Sequence, residues 1–290
     1  MALLDEVRRS CREIAESARF VSIDLDAARE PEQGPAPQLD PERHYLEGSR
    51  EDVAAYLLQL DAINFGSGWF PTLRKRAGCS GYFTVAWALA DRTRACGPWS
   101  SAELRRLEGG ELAAVLGQQP EHPLMSLYAQ ALRDLGRFLG SRSALDLVAQ
   151  ADGSAERLAG LLARGMRFFD DRGFYKRAQI VPSDLALAGL AEFGDLDRLT
   201  IFADNLVPHV LRVDGVLRYD RRLAARVDSG ELLPPGREEQ EIRACALHAC
   251  EQLAQHTGTP PRLLDIQLWN RGQGAEYKAL PRHRTRTVYY

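Results

Sequence analysis

Five short stretches of the sequence place polar residues where a helical core should be apolar. They are "HYLEG" with His44, "LDAINFGSGWF" with Asp61 and Asn64, "FYKRAQI" with Lys176, "FADNLVPHVLR" with Asp204, and "LLDIQLWNRGQG" with Asp265, Trp269 and Asn270. Carboxylates, a lysine and a histidine can supply acid–base and electrostatic catalysis. Each residue also has a structural interpretation, because charged side chains usually face solvent and Asp or Asn often caps a helix.

The sequence lacks the motifs of several cofactor-dependent and metal-dependent enzyme classes. It contains no GxGxxG after a strand, no P-loop, no HExxH and no GxSxG. Its six histidines never fall at metal-ligand spacing. We therefore expect no metal and no cofactor, and a mechanism that uses a carboxylate and a lysine.

Composition narrows the class of protein further. The 290 residues are 45% apolar, which suits one large domain spanning 1–290, with room for two helical lobes around a central pocket. A net charge of −3 disfavours stable wrapping of DNA. The five cysteines show no close CxxC pair, and no run of eighteen apolar residues occurs. We expect a cytoplasmic protein with reduced thiols and no membrane contact.

Helical periodicity dominates the chain. An amphipathic helix is predicted near the N-terminus, and a second helix begins after Ser49 as N-cap and ends near Asn64. Further helices are predicted at about 81–96, 100–117, 122–140, 154–165, 175–192, 197–213, 237–257 and 262–271. Only "GVLRYD" and "RTVYY" resemble strands. The sequence thus predicts a mainly α, single compact domain with minor β structure.

Five stretches, in this order, resemble the queuosine salvage protein family, the queuosine 5′-phosphate N-glycosylase/hydrolases. They are "HYLEG", "LDAINFGSGWF", "GFYKRAQI", "LTIFADNLVPHVLRVDGVLRY" and "LLDIQLWNRGQ…YK…RHRTRTVYY". The resemblance extends from about residue 15 to residue 290. It implies hydrolysis of the N-glycosidic bond of queuosine 5′-monophosphate, with release of queuine for reuse in tRNA. It also implies a helical fold related to the helix-hairpin-helix DNA glycosylases.

The resemblance assigns catalytic roles to two residues. Asp204, in the family's "FAD" motif, would stabilise the positive charge that develops on the ribose and would orient the attacking water. Lys176 would bind the 5′-phosphate, or would pair with Asp204 and keep it ionised. Arg177 must project about 100° away from Lys176 around a helix, so we expect it to form a structural ion pair outside the pocket.

The resemblance also indicates residues for substrate binding. They are His44, Asp61, Asn64, Phe65, Trp69, Asn205, Pro208, Asp265, Trp269 and Asn270. Asp265 or Asp61 would contact the polar edge of the base together with Asn270, and the flat rings of Phe65, Trp69 and Trp269 would stack on it. His44 would contact the ribose hydroxyls or the polar appendage of the base. The basic run "RHRTR" is a second candidate for the phosphate.

Three residues depart from the family pattern. Asn205 replaces an aromatic continuation of "FAD", while Gly66 and Gly68 replace bulky residues. These departures bear on the shape of the pocket more than on the chemistry.

Two other functions remain open at this stage. A DNA or RNA glycosylase acting on a flipped base would share the fold and a lysine that precedes an aspartate, although the acidic balance disfavours it. A non-catalytic nucleoside-binding protein is the other. For the leading interpretation the partner is a small molecule, with no stable nucleic-acid complex; the oligomeric state is left open.

Overall fold

The computed structural model describes residues 2–30 and 37–290, and these fold into fourteen α-helices and one small sheet. The helices are α1 (Leu3–Glu16), α2 (Arg50–Ala62), α3 (Gly81–Cys96), α4 (Ser101–Leu104), α5 (Gly109–Val115), α6 (Pro123–Leu139), α7 (Ala144–Gln150), α8 (Ala155–Gly165), α9 (Lys176–Leu187), α10 (Val207–Val213), α11 (Arg221–Asp228), α12 (Arg237–Thr257), α13 (Pro261–Arg271) and α14 (Ala275–Lys278). The predicted mainly α, single-domain fold is confirmed. None of the helices in these two ranges combines the length and apolarity needed to cross a bilayer.

The sheet consists of two short antiparallel strands, β1 (Val21–Ile23) and β2 (Leu217–Tyr219), with Ser22 opposite Arg218. The strand predicted in "GVLRYD" is therefore confirmed. The strand predicted in "RTVYY" is wrong, because residues 286–290 are irregular chain, with Arg286 exposed and Tyr290 buried. Two residues earlier, Arg284 forms an isolated bridge with Leu232.

Side-chain caps set the start of several helices. The Ser49 side chain accepts a hydrogen bond from the backbone N–H of Asp52 at the start of α2, as predicted. Ser80 does the same for α3, and Ser100 forms a complete capping box with Glu103 for α4. These caps satisfy backbone donors that have no partner inside the helix.

Three predicted helices differ from the structure. The stretch 100–117 divides into α4 and α5, and the helix predicted at 175–192 ends at Leu187. The predicted helix 197–213 is helical only from Val207, apart from a 3₁₀ turn at Leu196–Arg198. Pro208 explains this late start, since proline is favoured in the first turn of a helix and disfavoured inside it. Asp204 consequently lies in irregular chain before α10.

The apolar interior forms two clusters. The first is built mainly from α2 to α9, and the second from α1, the sheet and α10 to α14. The segment 199–206 passes between them: Leu199 and Phe202 pack into the first cluster, whereas Ile201 and Ala203 pack into the second. Asp204 therefore comes directly after residues that pack into both clusters.

Candidate active site

Lys176 is the first residue of α9 and is buried, with 5% of its surface exposed. Its Nζ donates to the backbone oxygen of Asn64 at 3.3 Å and to the Asn64 side-chain oxygen at 3.4 Å. Burial lowers the pKa of Lys176, while the charges of Asp204, Asp61 and Asp265 raise it. The ammonium thus lies among three acids that the sequence had singled out, and Asp204 supports its charge most strongly.

Asp204 is held by the start of α10 and remains partly exposed. Its Oδ1 accepts hydrogen bonds from the backbone N–H groups of Leu206 at 2.6 Å and Val207 at 3.1 Å. Backbone N–H groups at a helix N-terminus favour a negative charge. Oδ2 has no hydrogen bond within the described ranges, so a fixed carboxylate offers one free oxygen.

A buried arginine on α12 holds the segment that carries this carboxylate. Arg243 donates from Nε to the carbonyl of Ala203 at 2.9 Å and binds Asp171 through two hydrogen bonds of 3.1 and 2.6 Å. Its guanidinium also lies over the rings of Phe174 and Tyr290. Sequence reasoning missed Arg243; its position within the apolar run "RACALHAC" was the available signal.

Asp265, on α13, fixes the same segment from the other side. Its Oδ1 accepts the backbone N–H of Phe202 at 2.7 Å, and only 5% of the residue is exposed. Burial, with the charge of Asp204, raises the pKa of Asp265 to about 8. The carboxyl therefore carries a proton at neutral pH and can donate it.

Two further acids lie on the other side of Lys176. Asp61 is completely buried, and neither of its carboxyl oxygens has a hydrogen-bond partner in the described structure. Asp184 is half-buried and lies on α9 two turns after Lys176. Burial raises the pKa of Asp184 to about 7, and burial with the charge of Asp184 raises the pKa of Asp61 well above its usual value. Sequence reasoning missed Asp184, although its eight-residue spacing from Lys176 indicates a shared helix face.

His44 and Trp269 belong to one cluster of rings with Tyr82 and Phe83. Sequence reasoning missed Tyr82 and Phe83. The Trp269 ring lies edge-on to Phe83 at 5.5 Å and to Tyr82 at 6.1 Å between centroids. His44 Nδ1 lies 2.9 Å from the Asp40 carbonyl, so it must carry the hydrogen, and Nε2 accepts from the Tyr82 hydroxyl at 3.1 Å. Burial lowers the pKa of His44, which keeps it neutral.

The other predicted aromatic residues, Phe65 and Trp69, belong to or pack against the first apolar cluster. Phe65 is 1% exposed, with its ring against Tyr128 at 4.9 Å and Arg177 at 4.7 Å. Both contacts use its ring inside the first cluster, so the structure gives no support for Phe65 as a stacking surface. Trp69 is partly exposed and lies 5.9 Å from the Arg286 guanidinium.

Three predicted binding residues lie at the margins of the site. Asn205 is buried and donates to the His283 carbonyl at 3.5 Å. Pro208 is buried in the first turn of α10. Asn270 is exposed near the end of α13. None of these contacts joins Asn205, Pro208 or Asn270 to Lys176.

Arg177 is buried, as a structural residue would be, but the predicted ion pair is wrong. Its guanidinium donates to the carbonyls of Ala62 at 2.6 Å, Val288 at 2.7 Å and Phe168, and it lies against the ring of Phe169. No ion pair of Arg177 occurs within residues 2–30 and 37–290. Backbone carbonyls were not visible as partners in the sequence pattern.

Gly66 and Gly68 allow residues 285–290 to approach the site. Gly66 has a φ of +99° and donates its N–H to the Tyr290 carbonyl at 2.8 Å. A Cβ on Gly68 would lie 2.3 Å from the Thr285 carbonyl oxygen. These departures from the family pattern accommodate a chain segment that closes on the loop after α2.

The basic run 282–286 is not a uniformly solvated face. His283 is buried, Arg282 is partly exposed, and Arg286 is exposed. Burial lowers the pKa of Arg282 and the charge of Asp204 raises it, which places Arg282 on the Asp204 side of the site.

A family model described as "Queuosine salvage protein" matches residues 43–290. The chain belongs to the queuosine salvage protein family. A relative from Sphaerobacter thermophilus is 36% identical over 98% of this chain and 97% of its own length, and one from Mus musculus is 28% identical over 98% of each chain. Both are named queuosine 5′-phosphate N-glycosylase/hydrolase. The resemblance that the sequence motifs indicated is therefore confirmed.

A relative from Nematostella vectensis with the same name is 31% identical over 59% of this chain and 60% of its own length. In this member of the queuosine salvage protein family, charged groups from both clusters meet around Lys176. The arrangement combines one partly exposed carboxylate, one buried ammonium and three carboxyl groups with raised pKa values.

Proposed function

We propose that this chain hydrolyses the N-glycosidic bond of queuosine 5′-monophosphate, releasing queuine and ribose 5-phosphate for salvage into tRNA modification. Family membership and the names of the relatives support the reaction. The observation that carries it is the partly exposed Asp204 carboxylate, fixed at the start of α10 and interacting with the buried Lys176 ammonium.

Asp204 would act on the sugar. Cleavage of a bond between ribose and a base develops positive charge on the ribose, and a fixed carboxylate stabilises that charge without having to reorganise. One oxygen of Asp204 is held by two backbone N–H groups, which leaves the other to face the anomeric carbon or the attacking water. We favour direct attack by water, since salvage requires only hydrolysis.

Two roles are open to a basic residue here: pairing with Asp204 and binding the 5′-phosphate. Lys176 would take the first role and Arg282 the second. The Lys176 ammonium and the Asp204 carboxylate attract each other, so Lys176 would pair with that carboxylate. The charge of Asp204 acts on Arg282, which is partly exposed and so could reach a 5′-phosphate. Asp265, protonated at neutral pH, can donate a proton or a hydrogen bond to the departing base.

The test is product analysis with a variant that removes the charge of Asp204 and keeps an oxygen for its two backbone hydrogen bonds. Purified protein is incubated with queuosine 5′-monophosphate, and queuine and ribose 5-phosphate are measured by mass. Asn keeps a side-chain oxygen that can accept from the N–H groups of Leu206 and Val207, so Asp204→Asn should fold normally yet release queuine more slowly by about 10²–10³-fold. Asp220→Asn is the matched control, because Asp220 caps α11 through Leu223 and should leave the rate unchanged.

An undiminished rate for Asp204→Asn would exclude Asp204 as the catalytic carboxylate. Absence of queuine with the wild-type protein would exclude the proposed reaction. Formation of an abasic site in a polynucleotide would favour the glycosylase alternative, and saturable binding without turnover would favour a nucleoside-binding protein.

A further inference from the structure

Asp61 and Asp184 form an acidic pair that the reaction described above does not use. Asp61 is on α2, which packs against α9, and Asp184 follows Lys176 by eight residues on the facing side of α9. Asp61 has no exposed surface, and no hydrogen bond of normal geometry reaches either carboxyl oxygen; the Asn64 side chain is near enough to lower its pKa. The Asp184 carboxyl group has no hydrogen bond and no ion pair anywhere in 2–30 or 37–290. A buried carboxyl without a partner is costly, and a bound ligand would offset that cost.

The ring cluster borders this pair. The Tyr82 side chain is close enough to Asp184 and Asp61 for burial and their charges to raise its pKa well above the usual value. Trp269 stands edge-on to Tyr82. Acids beside aromatic rings suit an organic cation, because the carboxylate supplies charge and the ring faces supply cation–π attraction.

The pair also restricts which part of a nucleotide can lie against it. A phosphate dianion would be repelled by the ionised Asp184 carboxylate, so it should bind at the Arg282 end of the site. Queuosine carries one cationic group, the secondary amine that joins its base to a cyclopentenediol. An aliphatic amine remains protonated near neutral pH.

We propose that Asp184, together with Asp61, binds the secondary ammonium group on the side chain of the queuine base. This inference rests on the proposed function and adds a specificity-determining residue to it. Asp184 is half-buried, so it can contact the ligand directly, while the fully buried Asp61 lies on α2, the helix that packs against α9. The rings of Tyr82 and Trp269 line the same side.

The proposal has a defined pH dependence. The charged or titratable groups that act on Asp184 or respond to it are Lys176, Asp61, Tyr82 and Asp265. With a pKa of about 7, Asp184 is mostly protonated at pH 6 and mostly ionised at pH 8. An ammonium ligand needs the ionised form, so its affinity should rise with pH over this interval, whereas a neutral ligand should show no such rise.

Free bases test this without turnover, because they have no glycosidic bond to hydrolyse. Calorimetry would compare 7-aminomethyl-7-deazaguanine, which carries the charged methylene amine, with 7-methyl-7-deazaguanine, which is neutral. Charged hydrogen bonds contribute enough that the wild-type protein should prefer the amine by about tenfold or more at pH 8, and by less at pH 6.

Asp184→Asn should lower affinity for the amine by about tenfold or more and change affinity for the neutral base by less than about twofold. Asp184→Glu keeps the carboxylate and should restore part of the preference. Glu192→Gln removes an exposed negative charge shortly after α9 and should leave both affinities unchanged.

Three results would overturn the proposal: no preference for the amine in the wild-type protein, an equal loss for both bases in Asp184→Asn, or no loss for either. The wild-type comparison needs no variant, so it holds even if Asp184→Asn folds poorly. Release of queuine from queuosine 5′-monophosphate tests the proposed function separately, and either inference can fail alone.

Discussion

Two buried groups of charges lie close together in this molecule and differ in how their hydrogen bonds are satisfied. Around Arg243, every partner is in place: two bonds to Asp171, one to the Ala203 carbonyl, and a longer one to Glu239 at 3.5 Å. Around Lys176, the ammonium makes two long bonds to Asn64, and Asp61 has no partner.

The difference distinguishes a structural charge cluster from a binding site. The ion pairs of Arg243 raise its pKa despite its burial, so the folded protein stabilises this charge. Burial lowers the pKa of Lys176 and raises those of Asp61, Asp184 and Asp265, so the folded protein opposes these charges. Titratable groups whose charged forms are opposed by the fold are typical of sites that bind and react with ligands.

The largest expected effect tests the Lys176 side of the comparison. Lys176→Met removes a charge that the fold opposes, so kcat/KM for queuosine 5′-monophosphate should fall by about 10³-fold while the melting temperature stays constant or rises. Kinetics of queuine release and a thermal melt measure both. Lys75→Met, at an exposed position, is the control. A marked loss of stability in Lys176→Met would class Lys176 with the structural cluster.

The next effect tests the Arg243 side. Arg243→Met leaves Asp171 buried without its partner, so the free energy of unfolding should fall by about 3–5 kcal/mol. Urea denaturation measures this loss. The double variant Asp171→Leu with Arg243→Met removes both charges and should recover part of the stability. If Arg243→Met proves as stable as the wild-type protein, the distinction between the two groups fails.

The smallest effect concerns Asp184 and pH. Its pKa is about 7 in the folded protein and near 4 when unfolded, so the unfolded chain loses this proton first and stability falls as pH rises from 4 to 7. Asp184→Asn removes that penalty and should raise the melting temperature by a few degrees at pH 8, with little change at pH 4. A pH-independent shift would contradict the assignment; Glu192→Gln should give no shift.

Local patterns predicted the helices well where caps and periodicity agreed. Ser49 and the apolar spacing located α2 correctly, and the motifs identified the family. The start of α10 was misplaced because periodicity in "LTIFADNLVPHVL" continues through a segment that the Pro208 turn keeps irregular. The choice between helix and irregular chain in this segment depends on tertiary contacts.

The site was less accessible to sequence reasoning. Lys176 and Asp204 could be proposed from the resemblance, and their roles stay predictions, as do the two lobes and the cytoplasmic location. Asp184 looked like an ordinary polar residue because nothing in its neighbours shows that Asp61 faces it from another helix. Arg177 suggested an ion pair, since a sequence pattern cannot show that backbone carbonyls converge on a guanidinium.

Residues 285–290 pass beside the loop after α2, where Gly66 binds Tyr290 and Gly68 makes room for Thr285. The same stretch supplies the Val288 carbonyl to Arg177, next to Lys176. More than two hundred residues separate Gly66 from Tyr290 and Gly68 from Thr285 along the chain. During synthesis on the ribosome, the loop after α2 emerges long before residues 285–290, so the nascent protein should acquire a finished site only after residues 285–290 have emerged.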